Sequence, residues 1–301
     1  MLKVSNISKY YDDFLAVDNL SFEIKDGEIF GLLGVNGAGK TTTFRMIMGL
    51  LDKSSGSIKL NGKDIDYSIS DEIGFLTEER SLMLSYTVME QAIFYGTLKG
   101  MKKEDIEREL DKYLKEFDIL DYKNKKIREL SKGNQQKIQF ILSIIHHPKL
   151  LILDEPFSGL DPINVEKFKN IILSLKKDGT SIIFSSHMME HIEYFCDSLI
   201  ILVKGKAVIE GKLKDIKNDF RKKNIKVIGD IDIDKVSKIK GVVSVEKSAS
   251  EYIIKIESED YIENVFKEIS KYKNITKFVV EEPSLNEIFI SKVGEAYEKQ
   301  V

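Results

Sequence analysis

The sequence predicts an α/β protein in which a mostly parallel sheet has helices on both faces. Three apolar runs, at residues 28–33, 150–153 and 181–184, each lead into a turn and then into a pattern with helical spacing. Continuous apolar runs are typical of parallel strands buried on both faces, whereas half-buried strands alternate apolar and polar residues. With 301 residues and 42% hydrophobic content, the chain can bury a substantial core. The composition therefore favours a folded protein with one large domain and one small one.

Two other patterns accompany the parallel-sheet pattern. Short alternating segments within residues 1–30 predict an N-terminal antiparallel β part. Residues 87–130 have mostly helical spacing, and Thr87 with Glu90 fits a capping box at the start of a helix. The apolar side chains expected on one helical face are Leu110, Tyr113, Leu114 and Phe117. We expect this insertion to form a helical subdomain at about residues 85–135.

After about Gly211 the sequence becomes rich in Lys and Glu. Its elements have the order strand, helix, strand, strand, helix, strand, which is typical of a small ferredoxin-like α+β domain. The predicted elements are, in order, 225–228, 234–240, 242–246, 252–256, 261–272 and 275–280. Residues 217–301 carry sixteen basic and sixteen acidic side chains, so nucleic-acid binding by this part is disfavoured. We expect a large domain at 1–215 and a small accessory domain at 216–301.

The overall composition disfavours several classes of function. Lys and Arg total 46 and Asp and Glu total 49, so the net charge of -3 gives no general attraction to nucleic acid or anionic membranes. Cys196 is the only cysteine, which excludes an intrachain disulfide framework and fits a reducing cytosol. No segment approaches the roughly 20 apolar residues that cross a bilayer, and the N-terminus lacks an apolar signal region. The chain itself is therefore not expected to cross a membrane.

A glycine-rich loop between a predicted strand and a predicted helix matches the phosphate-binding pattern G-x-x-x-x-G-K-[ST]. Residues 34–41 read Gly-Val-Asn-Gly-Ala-Gly-Lys-Thr. Glycines let successive backbone N–H groups converge on phosphate oxygens, and the positive end of the following helix adds to the attraction. We expect Lys40 to bridge the β- and γ-phosphates and the Thr41 hydroxyl to ligate Mg²⁺. The candidate nucleotide-binding residues of this loop are Asn36, Gly37, Ala38, Gly39, Lys40, Thr41 and Thr42.

A second motif supplies the carboxylates that hydrolysis needs. The apolar run at 150–153 is followed directly by Asp154, Glu155 and Pro156. Ligands of open α/β sheets bind at the carboxyl ends of the strands, where these two acidic side chains are expected. Asp154 is suited to hold the metal through water, and Glu155 is suited to orient and deprotonate the attacking water. The two motifs predict hydrolysis of ATP or GTP and occur in many families.

A third motif narrows the choice of family. Residues 130–136 read Leu-Ser-Lys-Gly-Asn-Gln-Gln and stand just before a predicted helix, a short distance ahead of the acidic strand. This segment resembles the signature Leu-Ser-Gly-Gly-Gln of ATP-binding cassette (ABC) ATPases, which are P-loop NTPases. Residues 158–161 resemble the D-loop of that family, and His187 resembles its switch histidine. On these motifs the chain is identified as a member of the ABC family over roughly residues 1–220.

The resemblance implies that ATP is held between two copies of the fold. In this family the signature of one subunit closes over ATP held by the other, so Ser131, Gly133 and Asp161 are expected to contact the nucleotide of a partner. Tyr11 resembles the aromatic residue that stacks on adenine, although the adjacent Tyr10 is an alternative. Because the chain has one phosphate loop and one signature, it must pair with itself or with a homologue, as a homodimer or heterodimer.

Three positions depart from the usual family pattern. Lys132 replaces a glycine and Asn134 replaces a glutamine in the signature, and Lys132 either points to solvent or adds positive charge near the phosphate. Glu78 stands where the family has a glutamine that ligates Mg²⁺, so metal ligation by Glu78 is a hypothesis. These departures, with Glu-Glu-Arg at 78–80 and the ending 282–289, resemble a bacterial exporter-type subfamily. Its members carry a small C-terminal domain and include ATPases similar to the sodium-efflux one.

The resemblance implies a transport ATPase with ATP and Mg²⁺ as cofactors. Its partners would be a multi-spanning membrane permease and a second ATP-binding subunit, without nucleic acid. It would lie in the cytoplasm, peripheral on the inner face of the cell membrane, and power export. The alternative is a soluble ABC-type switch that acts on ribosomes or DNA. Such relatives usually carry two cassettes or a long coiled-coil insertion, and this sequence has neither.

Overall fold

The structure is a computed structural model that describes residues 1–79, 81–220, 222–248 and 250–298. Its internal contacts divide the chain into a first unit, Met1–Gly211, and a second unit that begins at Lys212. Each unit has its own hydrophobic core. In the described ranges, none of the helices combines the length and the apolar character that crossing a membrane requires.

An antiparallel sheet and a mostly parallel sheet form the β structure of the first unit. Its strands, in chain order, are β1 (Leu2–Tyr11), β2 (Phe14–Ile24), β3 (Ile29–Gly34), β4 (Ser55–Leu60), β5 (Lys63–Asp64), β6 (Ile73–Leu76), β7 (Leu150–Asp154), β8 (Ser181–Ser185), β9 (Ser198–Val203) and β10 (Lys206–Lys212). The antiparallel sheet has the order β2-β1-β4-β5. The other sheet has the order β10-β9-β3-β8-β7-β6, and its pairs from β9 to β6 are parallel. Both parts of the predicted sheet architecture are confirmed.

Helices connect these strands. They are α1 (Lys40–Ile47), α2 (Val88–Leu98), α3 (Lys103–Glu116), α4 (Lys132–Ile144), α5 (Pro162–Lys177) and α6 (Met189–Phe195). The apolar residues Phe44, Ile47, Met48 and Leu51 are at helical spacing and predict a helix from Lys40 to Leu51, but α1 ends at Ile47. Gly49 has φ 69°, a left-handed conformation that terminates helices and that glycine adopts without strain.

The parallel order brings four chain segments to one edge of the sheet. β3 lies between β8 and β9, and β7 lies between β8 and β6. The last residue of β7, Asp154, pairs in register with Ser185 at the end of β8. Because parallel strands end at the same edge, the loops after β3, β6, β7 and β8 meet there. Lys40 directly follows the first of these loops as the first residue of α1, and Glu78, Glu155 and His187 lie in the other three, respectively.

The central strands are buried along their length, as their continuous apolar runs predict. All residues of β8 and β9 are buried. Leu32, Ile152, Ile183 and Ile200 have no exposed surface and belong to one core cluster. Burying a side chain of this size stabilises the fold by about 1.5–3 kcal/mol. The loops at the strand ends are thus anchored on a rigid base.

The helical region begins with the predicted capping box. Thr87 Oγ1 accepts a hydrogen bond from Glu90 N at 3.1 Å, and Glu90 Oε2 accepts one from Thr87 N at 2.8 Å. The predicted apolar face is buried, since Leu110, Tyr113 and Leu114 are at most 3% exposed. The regular helices end at Glu116, so the predicted helical character up to residue 130 is only partly right. Short 3₁₀ turns follow instead, at Leu120–Tyr122 and Ile127–Glu129.

Removing the Thr87 cap should weaken this region. We expect Thr87→Ala to lower the free energy of unfolding by about 1 kcal/mol, because the N–H of Glu90 loses its side-chain acceptor. Urea denaturation followed by circular dichroism measures the change. Thr97→Ala is the matched control: Thr97 is exposed within α2 and should change stability by no more than about 0.5 kcal/mol. Equal losses in both variants would contradict the role of the cap.

The second unit is a ferredoxin-like α+β fold, as predicted. Its elements are α7 (Leu213–Asp219), β11 (Lys223–Ile228), α8 (Ile233–Val236), β12 (Val242–Ser248), β13 (Glu251–Ile256), α9 (Ile262–Ile269), β14 (Lys277–Glu281) and α10 (Leu285–Glu298). The sheet is antiparallel with the order β12-β13-β11-β14. Ile225, Val227, Ile254, Val265 and Ile269 form its core together with neighbouring apolar residues. The helix α7 precedes the predicted elements and lies in this unit.

The segment that begins α10 is held by Glu287. Glu287 Oε2 accepts hydrogen bonds from Ser284 N at 3.0 Å and from Asn224 Nδ2 on β11 at 2.7 Å. Lys255 Nζ on β13 lies 3.7 Å from the other carboxylate oxygen. Burial raises the pKa of Glu287, but these partners outweigh it and the pKa is lowered. One carboxylate therefore caps α10 and attaches it to the sheet of the second unit.

Candidate functional site

The loop between β3 and α1 has the conformation that its glycines predict. Gly37 has φ 78° and Gly39 has φ 101°, both in the left-handed region that favours glycine. A Cβ atom on Gly39 would lie 2.7 Å from the carbonyl oxygen of Ala16, so a larger residue would collide with β2. Ala38 is buried, whereas Asn36 and Thr41 are exposed and Thr42 is half-buried. The loop is thus a tight cradle with its polar residues at the surface.

The helix that follows the loop presents an open N-terminus. Gly39 is its N-cap and supplies no side-chain acceptor, and the first turn contains no acidic residue. Lys40 Nζ donates to the carbonyl oxygen of Gly34 at 2.6 Å and lies beside that of Val35 at 3.4 Å. The first N–H groups of α1 and the Lys40 ammonium are therefore available to an anion, and phosphate is the anion that such termini commonly bind.

Lys40 lies among three acidic residues. Burial lowers the pKa of Lys40, and the carboxylates of Asp154, Glu155 and Glu78 oppose that shift. Burial raises the pKa of Asp154 to about 6. The Ser185 hydroxyl and Lys40 lower it, while Glu155 and Glu78 raise it further. The structure therefore brings together four of the predicted residues, and a cation beside Asp154 would favour its ionised form.

Glu155 is held in place by the loop after β8. Its carboxylate accepts a hydrogen bond from His187 N at 2.7 Å, and His187 Nδ1 lies 2.9 Å from Oε2. The Ser186 hydroxyl donates to Oε2 at 3.4 Å. Glu155 also has φ 50°, a conformation that costs a non-glycine residue about 1–2 kcal/mol. Its N–H donates to Ser185 O at 3.0 Å, which fixes the backbone in that conformation. The contact between Glu155 and His187 could not be read from the sequence.

The loop after β6 carries Glu78, which is exposed. Thr77 and Glu79, on either side of it, both accept hydrogen bonds from Gln139 Nε2 on α4, at 2.9–3.2 Å. Sequence reasoning missed Gln139, because no local motif connects residues 62 positions apart. Arg80, the last residue of the predicted Glu-Glu-Arg segment, lies outside the described residues.

The signature and D-loop residues lie together, and in the described part of the chain their contacts do not include Lys40. Ser131 is the N-cap of α4, and its side chain accepts from Asn134 N at 3.3 Å. A Cβ atom on Gly133 would lie 3.5 Å from Gly159 O, so the two loops are adjacent. Asp161 is the N-cap of α5. Ser131 and Asp161 are both exposed, as contact with a second molecule would require.

The predicted adenine-stacking residues lie at the tip of the β1–β2 hairpin. Tyr10 is 50% exposed and Tyr11 42%, so neither is excluded as a stacking surface. Lys9 Nζ lies 5.4 Å from the centroid of the Tyr11 ring. The same hairpin passes the phosphate loop at Ala16. Phe14, which pairs with Tyr11 and is 66% exposed, is a further aromatic candidate that sequence reasoning missed.

The oxygen-bearing side chains of the site fit the ligand preference of Mg²⁺. In the described residues there is no group of three or more His, Cys, Asp or Glu side chains arranged to hold a metal ion. Mg²⁺ typically takes one or two protein ligands and completes its shell with water and substrate phosphates. Asp154 and the Thr41 hydroxyl can supply such ligands, and the Glu78 charge acts on the pKa of Asp154.

Comparison with known proteins identifies the family. A family model described as ABC transporter matches residues 17–158. The chain is 50% identical over 298 residues to the ABC transporter ATP-binding protein YhaQ of Bacillus subtilis strain 168, covering 99% of this chain and 100% of that protein. The chain belongs to the ATP-binding proteins of ABC transporters. A second model, described as the C-terminal domain of DrrA1-3-like ATP-binding proteins, matches residues 211–293 of this ABC protein.

Other comparisons agree with this family. The ABC transporter ATP-binding protein NatA of the same organism is 34% identical over 236 residues, covering 76% of this chain and 96% of that protein. A solved ATP-binding subunit of an ABC transporter matches with a TM-score of 0.70 and 30% identity, covering 73% and 93% of the two chains. A dimeric cassette solved with ADP and Pi matches with a TM-score of 0.65 and 25% identity, covering 71% and 99%.

Membership of this family establishes the fold and the reaction of this ABC protein. It has the P-loop NTPase fold of the solved cassettes, and it binds and hydrolyses ATP as an ATP-binding subunit of an ABC transporter. The resemblance drawn from residues 130–136 is thereby confirmed. A soluble switch acting on ribosomes or DNA is not favoured.

Proposed function

We propose that this ABC protein hydrolyses Mg-ATP to power export through a separate membrane-spanning permease. Residues 1–215 would form the ATP-binding domain, with the helical subdomain at about 85–135, and residues 216–301 an accessory domain. The protein would lie at the cytoplasmic face of the membrane. The observation that carries the proposal is the Glu155 carboxylate, held by His187 beside Asp154 and Lys40. The export direction rests on the likeness of the signature, the 78–80 segment and the ending 282–289 to exporter-type relatives.

Each residue of the site has a proposed task. Lys40 and the N–H groups of the loop bind and neutralise the phosphates, with Thr41 and Asp154 as the residues that would hold Mg²⁺. When bound, Mg²⁺ would neutralise part of the phosphate charge. Glu155 accepts a proton from the attacking water, and His187, within hydrogen-bond distance of Glu155, keeps its carboxylate oriented. Catalysis is thus mainly positioning and electrostatic stabilisation.

Two copies would form the complete site. The exposed Ser131, Gly133 and Asp161 region belongs to the family signature and D-loop, and it makes no contact with Lys40 among the residues described. Contact with ATP held by a second molecule would give these residues a ligand, in a homodimer or a heterodimer. The similarity to a dimeric cassette supports this arrangement. Binding at about 100 times the dissociation constant would stabilise the closed dimer by about 2.7 kcal/mol, and hydrolysis would remove that contribution.

Glu78 is proposed to ligate Mg²⁺ in place of the usual glutamine. We expect Glu78→Gln to change the magnesium dependence of ATPase activity, because a neutral amide binds a divalent cation more weakly than a carboxylate does. A several-fold higher half-saturating magnesium concentration, at an unchanged affinity for ATP, is the expected result of a magnesium titration. The exposed Glu23, on β2, gives the control Glu23→Gln. An unchanged magnesium dependence in Glu78→Gln would remove Glu78 from the metal site.

A groove in the first unit supports a permease partner. Its volume is about 230 Å³, and its lining includes Leu50, Phe75, Leu82, Tyr95 and Leu142. Leu50 is 61% exposed, and Phe94 and Leu98, next in sequence to the lining residues Tyr95 and Lys99 on α2, are also exposed. Exposed apolar clusters of this kind typically mark protein interfaces. Because the groove adjoins the loop that carries Glu78, a short apolar segment of the permease in this groove would lie beside a loop that is proposed to hold Mg²⁺.

The permease proposal is tested by changing Leu50. We expect Leu50→Glu to weaken association with a multi-spanning membrane protein about 30-fold or more, since a charge in an apolar contact typically costs at least 2 kcal/mol. ATP binding by the isolated chain should be unchanged. Pull-down from detergent-solubilised membranes of the source cells, with identification by mass spectrometry, measures the association with the membrane protein. Leu120→Glu, outside the groove and 38% exposed, is the control. Recovery of ribosomes or DNA in place of a membrane protein would contradict the proposal.

A further inference from the structure

Gln139 is a buried polar residue whose hydrogen bonds lie beside the catalytic site. It lies on α4, is 5% exposed and donates through Nε2 to three acceptors. These are Thr77 O at 3.1 Å, Thr77 Oγ1 at 2.9 Å and Glu79 O at 3.2 Å. Two of the acceptors are backbone carbonyl groups, so only the NH₂ end of the amide can face the loop. The Gln139 side chain therefore forms hydrogen bonds to the backbone on both sides of Glu78.

The other end of the same amide is unsatisfied. Gln139 Oε1 is buried and has no hydrogen-bond partner among the described residues. A buried acceptor without a partner typically costs about 1–3 kcal/mol, so an apolar residue at this place would be easier to accommodate in a helix packed against the core. Such a cost is common where a polar group serves a purpose other than stability.

α4 contacts both acidic loops of the site. Gln136, three residues before Gln139, donates through Nε2 to Pro156 O at 3.2 Å, directly after Glu155. Gln139 donates to the loop of Glu78. The same helix begins at Ser131, in the segment that is proposed to contact the ATP of the partner. One rigid element thus joins that segment to the two loops that carry Glu78 and Glu155.

We propose that Gln139 is a positioning residue, which holds Glu78 at the phosphate end of the site and makes the 77–79 loop move together with α4. The charge of Glu78 acts on both Lys40 and Asp154, so its position sets the field in which metal and phosphate are bound. Contact of Ser131 with the nucleotide of a partner then moves Glu78 in the chain's own site through α4. The inference rests on the proposed function and adds a physical link between the two ATP sites of the dimer.

The test is a double-mutant cycle between Gln139 and Glu78. Gln139→Met keeps the size of the side chain but removes its donors, and we expect kcat to fall about 10-fold at an unchanged KM for ATP, with a higher magnesium requirement. In a Glu78→Ala background the same change should have almost no further effect on either quantity, because Gln139 acts through Glu78. Equal losses of kcat in the two backgrounds would overturn the inference, and so would wild-type kinetics in Gln139→Met.

A matched control distinguishes a role of Gln139 in positioning Glu78 from a role in the stability of the fold. Gln91 is fully buried and donates to one backbone carbonyl group, that of Met83 at 2.9 Å. In the described part of the chain its Oε1 has no partner and its side chain has no hydrogen bond to the 77–79 loop. Gln91→Met should resemble Gln139→Met in unfolding experiments and leave the magnesium requirement unchanged. A magnesium shift of the same size in Gln91→Met would contradict the inference.

A second variant covers the case in which Gln139→Met does not fold. Thr77→Val removes the hydroxyl of the half-buried Thr77, which accepts from Gln139 and donates to Glu79 O within the same loop, but leaves both carbonyl acceptors of Gln139. It should therefore shift the magnesium requirement in the same direction by a smaller factor. Wild-type magnesium dependence in this variant would count against the positioning role. If Glu155→Gln abolishes turnover while Gln139→Met and Thr77→Val both behave as wild type, only the positioning role of Gln139 is contradicted. If Glu155→Gln retains full turnover, the proposed function fails instead.

Discussion

Glu155→Gln should slow ATP turnover by about 10²–10⁴-fold while ATP binding is retained. The amide keeps the size of the side chain and can still contact His187, which lies 2.9 Å from the carboxylate, but it cannot accept the proton of the attacking water. Single-turnover measurements separate this loss of chemistry from slow product release. Binding of a fluorescent ATP analogue should be within about twofold of wild type.

The control for this variant removes a carboxylate elsewhere. Glu104 lies in the first turn of α3, on the helical region, and it has no part in the cluster around Lys40. Glu104→Gln should therefore retain wild-type turnover. Retention of full turnover by Glu155→Gln as well would mean that another group deprotonates the water, and the assignment of Glu155 would be wrong.

Lys40→Met should weaken ATP binding by about 10- to 150-fold. Charge-assisted hydrogen bonds are worth about 1.5–3 kcal/mol each, and no other cation lies among the groups that shift the pKa values of Asp154 and Lys40. Without the ammonium, Asp154, Glu155 and Glu78 would repel the triphosphate. Titration calorimetry with ATP and magnesium measures the affinity.

Replacement of a surface lysine is the control for the change in ATP affinity expected of Lys40→Met. Lys59, on β4, is 3.9 Å from Asp64 in an exposed ion pair, and such pairs contribute little. Lys59→Met should leave ATP binding unchanged. Equal affinities of Lys40→Met and wild type would show that the Gly34–Thr41 loop does not hold the phosphates through its lysine.

The sequence predicted the parallel sheet because buried strands have a local signature. The apolar runs at 150–153 and 181–184 became β7 and β8, both buried in the core. The capping box at Thr87 was also predictable, since its two residues are three positions apart. In contrast, the predicted end of α1 was wrong. The apolar spacing continues to residue 51, past Gly49, whose left-handed backbone ends the helix.

The contacts within the site were less predictable than its residues. Lys40, Asp154 and Glu155 belong to local motifs, so their types and spacing were sufficient to select them. The contact of Glu155 with His187 depends on the parallel pairing of β7 with β8 and on the left-handed backbone of Glu155. Gln139 stood outside every motif, because its hydrogen bonds reach a loop far away in the sequence. Long-range hydrogen bonds of this kind become visible only in the folded structure.

In the proposed closed state, ATP is clamped between Lys40 of one copy and Ser131 of another. Light scattering of the Glu155→Gln variant during size-exclusion chromatography, with and without Mg-ATP, tests it most directly, because slow hydrolysis preserves the closed state. We predict twice the monomer mass with Mg-ATP, the monomer mass without nucleotide, and the monomer mass in both conditions once Ser131→Glu is added. A Glu155→Gln protein that binds Mg-ATP and stays monomeric, alone and with its membrane partner, would contradict the account.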